Sequence, residues 1–577
     1  MSVRYINILR IVIKFVFILF LISTLLLVVL LFNLSYEDFT SKLLLLYYKQ
    51  DKLTEFRLNY LTSDKYSIIR FFGCFLLLFF ILVNYRLSLV SGFVSSKIVS
   101  FFNSLIFFFK SLNNLFLKFS KVERAIFFLV ILFIGIIRFY FMLRFTLNVD
   151  EVTSYLFIVK KGFWATISYY PSPNNHIFYS LLAWLSQPFF SDSFYVMKAP
   201  SYIISIITTG TLIIYLSKYF NFSMSILGTL IFSFTTHYFI YSISGRGYAL
   251  MTSFALLITF LSIEILSGKG DKYLWHIFSL ASILGFYTMV IFLYPFVAIC
   301  AIILGFLLYQ KKFTVLKDFI YYTILISIGV LLLYTPVFLI SGISSISSNG
   351  WMHKLSWSEY VIALPRFIDS AFIQIIDIDN NATFVGIFIL VISLLVLSKT
   401  KKYDWFWLIV AFFVTPLILL TIQRIQPYER VWTYLIFPFS LCVLFILEFV
   451  FSFFPKYKNW LAGFSSVIIC CYFLFYFTNL SNQGAEFYKE LVRISSYISS
   501  EENVKVFTND DSYNLFIRFE ASEEGKEVIP IMSGITKADH FDYVLIVPKS
   551  KFPVELDQNM YQLKEKNNYI EVYELKL

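Results

Sequence analysis

Apolar runs of about 17 to 23 residues recur along most of this chain, the length that carries an α-helix across roughly 30 Å of hydrocarbon. A backbone inside lipid must satisfy its own hydrogen bonds, so such runs fold as spanning helices or as a closed barrel. A barrel shows short alternating segments, and none are visible. The sequence therefore predicts an all-α polytopic membrane protein. Of 577 residues, 59% are hydrophobic and 14% are charged, against about 25% charged in a soluble domain. The formal charge of +11 does not imply a nucleic-acid partner, because the lysines are spread over short loops between apolar runs. Cys74, Cys300, Cys442, Cys470 and Cys471 all sit inside those runs and read as packing residues. Arg4, Arg10 and Lys14 precede a stretch that stays apolar to about Phe32 without a small-residue cleavage site, which reads as a retained first span.

About thirteen spans are expected, at 7–33, 68–90, 124–146, 196–216, 224–243, 247–267, 275–291, 293–309, 319–341, 384–398, 405–422, 431–452 and 459–479. Short loops carrying Lys311, Lys312 and Lys317, then Lys399, Lys401 and Lys402, then Lys456 and Lys458, with Lys269 and Lys272 as a fourth set, belong in the cytoplasm by the positive-inside rule. Two cytoplasmic loops flanking 275–309 require an even number of crossings, so that run is expected to turn near Tyr294-Pro295. Residues 147–195 then lie outside. The apolar segment 174–190 reads as an interfacial helix with a polar stripe of His176, Ser180, Ala183 and Gln187. Three regions follow: residues 1–123, a two-span extension and cytoplasmic linker; 124–480, the transmembrane module; and 481–577, a small extracytoplasmic α/β domain. That domain has a helix over 484–500 and strands at 504–507, 543–547 and 569–577. No dinucleotide, P-loop or zincin motif occurs in it.

Polar groups at span ends need a reason, and four clusters fall on the same expected side. Asp150-Glu151 offers paired carboxylates for general base or metal chemistry. Pro173-Asn174-Asn175-His176 opens the interfacial helix, with Asn174 a possible cap. Ser244-Gly245-Arg246-Gly247-Tyr248 sets an arginine between two glycines, and guanidinium matches phosphate with a bidentate fork. Arg424 to Arg430 crowds two arginines and Glu429 into one turn.

The order of these clusters over residues 124–450 resembles the integral-membrane glycosyltransferases of the GT-C fold, in particular bacterial relatives of protein O-mannosyltransferases and aminoarabinose transferases (glycosyltransferase family 39-like). Asp150-Glu151 looks like the family's catalytic acidic motif. Asn175-His176-Ile177-Phe178-Tyr179 stands where the family has His-Pro-Pro-Leu-Tyr, without the prolines. Ser244 to Leu250 resembles its Ala-Arg-Gly-Tyr-Ala-Leu stretch. Tyr428-Glu429-Arg430 resembles a late Arg-Tyr motif, with Val431 in place of the tyrosine.

The resemblance implies a polyprenyl-phosphate sugar donor and a lipid, glycan or protein acceptor at the outer face, with membrane lipids and no nucleic acid as partners. It implies Asp150 and Glu151 as catalytic, and Asn175, His176, Arg246, Tyr248, Arg424, Glu429 and Arg430 as donor-phosphate or substrate-binding. A divalent metal is an open question, with Asp150, Glu151 and His176 as candidate ligands. Three rival readings differ in class: an outer-face polysaccharide polymerase or ligase, a transporter, and a scaffold displaying the C-terminal domain. A transporter would place its ionisable groups near mid-membrane, whereas these clusters lie at span ends. The expected location is a bacterial inner membrane, with the N-terminus cytoplasmic.

Overall fold

A computed structural model describes residues 3–47, 53–171, 173–267, 272–347, 354–378, 380–425, 427–501, 504–526, 541–548 and 559–576, with single residues 530, 550 and 556. Lys269, Gln426 and Leu577 lie outside the described residues. Twelve helices among those described are long and apolar enough to cross a membrane, or thirteen when the bent pair Phe222–Ser233 and Thr236–Ile243 counts as one span. The chain is thus a polytopic helical membrane protein. Its first two spans, Asn7–Asn33 and Ser63–Tyr85, are mostly exposed, whereas Tyr248–Leu266 is 83% buried at the centre of the bundle.

Several features depart from the sequence expectation. The linker at 91–123 is largely one helix, Leu87–Leu117, apolar enough to span. Its neighbours, however, lie toward one end of the bundle. Lys14 Nζ donates to Ser88 Oγ at 3.5 Å, Ser104 Oγ lies 2.7 Å from His276 Nδ1, and the Phe107 ring sits 4.4 Å from that of Tyr273. Tyr273 and His276 open the 17-residue helix Lys272–Thr288. Leu87–Leu117 therefore runs along that end.

The turn expected near Tyr294-Pro295 falls instead at Met289, followed by the short 3-10 turn Val290–Phe292. Pro295 is already in the first turn of Leu293–Tyr309, where its missing N–H costs nothing. The third departure is a break of 74° at Phe234-Thr235 within the expected span 224–243. Fourth, residues 342–383, which join the expected spans 319–341 and 384–398, contain the amphipathic helix Trp357–Ile376, which buries Tyr360, Phe367 and Phe372 against the bundle.

The last span does not stop at 480. Helix Lys458–Ser500 continues without interruption into the C-terminal domain. There β1 (Val506–Thr508) pairs parallel with β2 (Tyr543–Ile546), β2 pairs antiparallel with β4 (Glu571–Leu575), and β4 pairs antiparallel with β3 (Tyr561–Lys566), giving the order β1-β2-β4-β3. The expected strands match β1, β2 and β4. β3 was hidden by its Lys564-Glu565-Lys566 sequence, which suits an edge strand that must not recruit another chain. The domain is not a detached appendage. Leu491, Ile494, Ile498, Phe516 and Ile517 share one apolar cluster with Leu147, Val152, Leu156 and Val159.

Candidate active site

Asp150 is held by devices that begin one helix earlier. Helix Lys121–Arg144 ends near the buried Lys198, whose ammonium donates to the carbonyls of Phe145 and Thr146 and so caps that helix end with a positive charge. Four residues later Asn148 starts the short helix Val149–Ser154 with a capping box. Its side chain accepts from Glu151 N at 3.0 Å, and Glu151 Oε2 accepts from Asn148 N at 2.7 Å. Asp150 thereby sits in a first helical turn, where a carboxylate is favoured. The helix passes into a π-helical turn, Tyr155–Val159, a feature often found beside functional sites. The C-terminal domain grips this element from behind. Lys160 Nζ lies 2.9 Å from Glu523 and 2.8 Å from the Ser522 carbonyl, and the Tyr155 ring meets that of Phe519 at 5.9 Å.

Glu151 links this element to the turn at 244–248. Its Oε1 accepts the N–H of Gly245, and the residue is 1% exposed. Neither Gly245 nor Gly247 has a positive φ, so both are glycine for space. A Cβ at 245 would lie 3.0 Å from Met197 Cβ and 3.1 Å from Glu151 Oε1. One at 247 would lie 2.9 Å from His176 Cβ and from Thr288 Cγ2. The close approach carries Arg246 into the interior at 3% exposure. There Arg246 Nη1 donates to Ser154 Oγ at 3.0 Å, to the Asn174 carbonyl at 3.2 Å and to the Asp150 carbonyl at 3.3 Å.

The Asp150 carboxylate therefore faces two guanidiniums. Arg430 Nη1 donates to Asp150 Oδ2, and Arg246 Nη2 lies 3.8 Å from the same oxygen. Asp150 and Arg430 are each about one-third exposed, so the pair is accessible to a ligand. On the other side of Arg246, His176 accepts the Gly247 N–H on Nδ1 at 2.9 Å, and its Nε2 is 3.4 Å from Arg246 Nη2. Tyr248 packs edge-on against the imidazole at 5.0 Å.

Burial holds the His176 imidazole well below its usual range, and the positive charges of Arg246 and Arg430 push it further down. His176 is thus neutral in the folded protein. Because the unfolded imidazole titrates near pH ~6.5, the folded state binds fewer protons below that pH, and its stability falls as pH drops. Above it the contribution is fully present. The expected slope is at most about 1.4 kcal/mol per pH unit for one group. His176→Gln, which keeps a polar acceptor but does not titrate, should lower the thermal midpoint less steeply between pH 7 and 5 than the wild type. Parallel curves for the two proteins would contradict the neutral assignment.

Two cavities flank this constellation. A polar chamber of about 790 Å³ is walled by His237, Tyr241, Arg366, Gln374, Glu429 and Arg430. A more apolar groove of about 510 Å³ is lined by Tyr170, Met289, Val290, Leu293 and Tyr294, with His176 at its polar edge. From chamber to groove the residues run Arg430, Asp150, Arg246, His176. Pro427 belongs to both walls.

The structure thus brings Asp150, Arg246, His176, Tyr248 and Arg430 together, and gives the other expected site residues different places. Glu151 spends both oxygens on backbone N–H groups and so positions the Arg246 turn. Asn175, 1% exposed, donates to the carbonyls of Thr166 and Tyr169 and accepts from Ser180, which makes it a bracket for the loop. Arg424 ends helix Tyr403–Gln423 in a left-handed conformation and lays its guanidinium 5.0 Å over the Trp357 ring, away from Asp150. Glu429 lines the chamber. Asp150, Glu151 and His176 do not form a metal-ligand set, because Glu151 and the His176 Nδ1 are engaged with the main chain. Among the described residues no group of three His, Cys, Asp or Glu is arranged to hold a metal.

Two further corrections concern the loop. Asn174 is not the helix cap: Ile177–Ser186 begins after His176 with no side-chain cap, and Asn174 Nδ2 reaches the Asp150 carbonyl at 3.3 Å. The helix is ten residues, about 15 Å at 1.5 Å per residue, too short to cross. Its stripe of His176, Ser180 and Ala183 faces the protein, whereas Leu185 and Phe189 are exposed. A helix lying free in the interface would turn that stripe to water; here the protein covers it. Ser154 and Gln374 were missed. Ser154 had a local signal, lying one helical turn after Asp150; Gln374 had none, since it arrives from a helix some two hundred residues away. No protein-family model matches this chain, and no curated protein matches it either.

Proposed function

We propose that this protein transfers a sugar from a polyprenyl-phosphate donor to an acceptor hydroxyl. The observation that carries the reading is the Asp150 carboxylate set between Arg430 and Arg246, where a polar chamber meets an apolar groove. A lipid-phosphate donor needs these parts: cations for the phosphate, an apolar path for the prenyl chain, and a base facing the acceptor. The donor phosphate engages the guanidiniums, which frees the carboxylate to take a proton. The acceptor oxygen then attacks the anomeric carbon, and the bond from that carbon to the phosphate oxygen breaks. Polyprenyl phosphate leaves with the electron pair, and Asp150 takes the acceptor's proton. This is a single displacement with inversion. Charge grows on phosphate oxygens as that bond breaks, and one preorganised donor at such a position is commonly worth about 2.7–4 kcal/mol. The order of motifs resembling GT-C transferases supports the same reading. The experiment is transfer of labelled sugar from polyprenyl-phosphate donors by the full chain in liposomes. Activity confined to sugar nucleotides, or absent with every lipid-linked donor, would sink the proposal.

The Asp150 end is extracytoplasmic in this proposal. The loops bearing Lys311 and Lys312, Lys399 to Lys402, and Lys456 and Lys458 join spans at the opposite end, where the positive-inside rule puts the cytoplasm. With Leu87–Leu117 along that end and Lys272–Thr288 crossing, the N-terminus is cytoplasmic and residues 481–577 share the outer side with Asp150. A bacterial inner membrane fits this arrangement. A cysteine introduced at Ser191 should react with an impermeant thiol reagent added outside intact cells. Reaction only after the membrane is opened would invert the topology.

A further inference from the structure

We infer that the polar chamber beside Arg430 is the acceptor site and that it takes a neutral, hydroxyl-rich saccharide rather than a lipid or an anionic group. The inference rests on the glycosyl-transfer reading and names its acceptor class. Its volume of about 790 Å³ is that of a small-molecule site, commonly about 300–1,000 Å³.

The chamber is a built feature of the fold. Its floor is the broken span: Phe222–Ser233 and Thr236–Ile243 meet at 74°, and the second half of that pair presents His237 and Tyr241 to the chamber. Its lid is the amphipathic helix Trp357–Ile376, which supplies Arg366, Ser370 and Gln374.

The lining selects the ligand. Arg366 and Arg430 are balanced by Glu429 in the same wall and by Asp150 on Arg430 itself. A site for a polyanion would not carry Glu429. Long apolar chains are disfavoured because Arg366, Ser370, Gln374, Glu429 and Arg430 break up the apolar surface given by Leu355, Phe367 and Pro427. What remains is a mixture of hydrogen-bond donors and acceptors with two tyrosines, Tyr241 and Tyr428, in the wall, a combination that suits the hydroxyls and ring carbons of a sugar. His237 Nδ1 is buried without a hydrogen-bond partner, and Gln374 Nε2 reaches only Thr433 Oγ1, at 3.5 Å. Both have capacity for a ligand. Because Arg430 is both a chamber wall and the partner of Asp150, a hydroxyl in the chamber is one side chain away from the proposed base.

The test uses the full chain in nanodiscs with Ser370→Cys, and reads alkylation of the introduced thiol by a polar maleimide at that peptide by mass spectrometry. Neutral probes are a hexose, a pentose and an N-acetylhexosamine; comparison probes are inorganic phosphate and a short-chain phosphatidylglycerol. At about 100 mM, a saccharide with a Kd near 10 mM should slow alkylation about tenfold. His237→Phe and Gln374→Leu in the same background should remove that protection while leaving polyprenyl-phosphate binding unchanged. If Ser370→Cys does not fold, Leu355→Cys in the same lining reads the same space. Protection by phosphate or phosphatidylglycerol instead of saccharides overturns the inference, as does protection by none of the probes. The underlying reading fails separately: saccharide protection with no transfer from any lipid-linked donor would keep the chamber and remove the transferase, whereas transfer with an unprotected chamber would do the reverse.

Discussion

Replacing Asp150 with Asn should abolish sugar transfer while leaving the protein folded and inserted. Asn is nearly isosteric and can occupy the same place in the first turn of Val149–Ser154, but its amide does not accept the acceptor's proton. General base catalysis is commonly worth about 10²- to 10⁴-fold, and turnover should fall by at least that range. Stability should change little. The carboxylate and its Arg430 partner are each about one-third exposed, and ion pairs open to solvent typically contribute about 0–1 kcal/mol. Donor binding is the sharper discriminator. Asp150 places a negative charge where the proposal puts a phosphate, so the neutral variant should bind polyprenyl phosphate as well as the wild type or better. Loss of turnover together with loss of donor affinity would make Asp150 a binding or folding residue. Near wild-type turnover would remove it as base.

Arg246→Lys should be nearly as damaging, in a different way. Arg246 Nη1 alone serves three acceptors, Ser154 Oγ and the carbonyls of Asn174 and Asp150, while Nη2 is turned toward the Asp150 carboxylate and His176. A lysine carries its three donors on one nitrogen and loses the planar fork. It can satisfy the wall or the phosphate, but not both. Removal of one preorganised donor at developing charge typically costs about 10²- to 10³-fold in turnover, and the donor's KM should rise as well, since the same fork holds the ground-state phosphate. A buried acceptor left without its donor adds about 1–3 kcal/mol of destabilisation, so the thermal midpoint should fall too. Kinetics in detergent, with donor affinity measured separately, tests this. A variant with wild-type KM and turnover would return Arg246 to a structural role.

Much of the fold was legible because lipid imposes a simple rule on sequence. Apolar runs of spanning length gave most of the span cores. The boundaries that failed did so for physical reasons. Leu87–Leu117 is apolar enough to span, yet it covers helix ends. The break at Phe234-Thr235 carries no proline or glycine. The run 275–309 turns at Met289, before the proline that looked like its marker. In the candidate site, Asp150, Arg246 and Arg430 stood out as ionisable residues at span ends, and the structure gathers them. Glu151 and Asn175 looked equally functional in sequence, since a carboxylate that holds a backbone N–H is the same letter as one that holds a substrate. The chamber was the least visible part, because Gln374 and His237 are separated by more than a hundred residues and meet only through the lid helix.

The most direct test of the central claim is a structure of the full chain with a polyprenyl-phosphate sugar bound, using Asp150→Asn to prevent turnover. The account predicts the donor phosphate within hydrogen-bond distance of both Arg246 and Arg430, the prenyl chain in the groove lined by Met289, Val290 and Leu293, and the anomeric carbon facing residue 150. A donor held at the opposite, lysine-rich end of the bundle, or with its phosphate remote from both arginines, would contradict it.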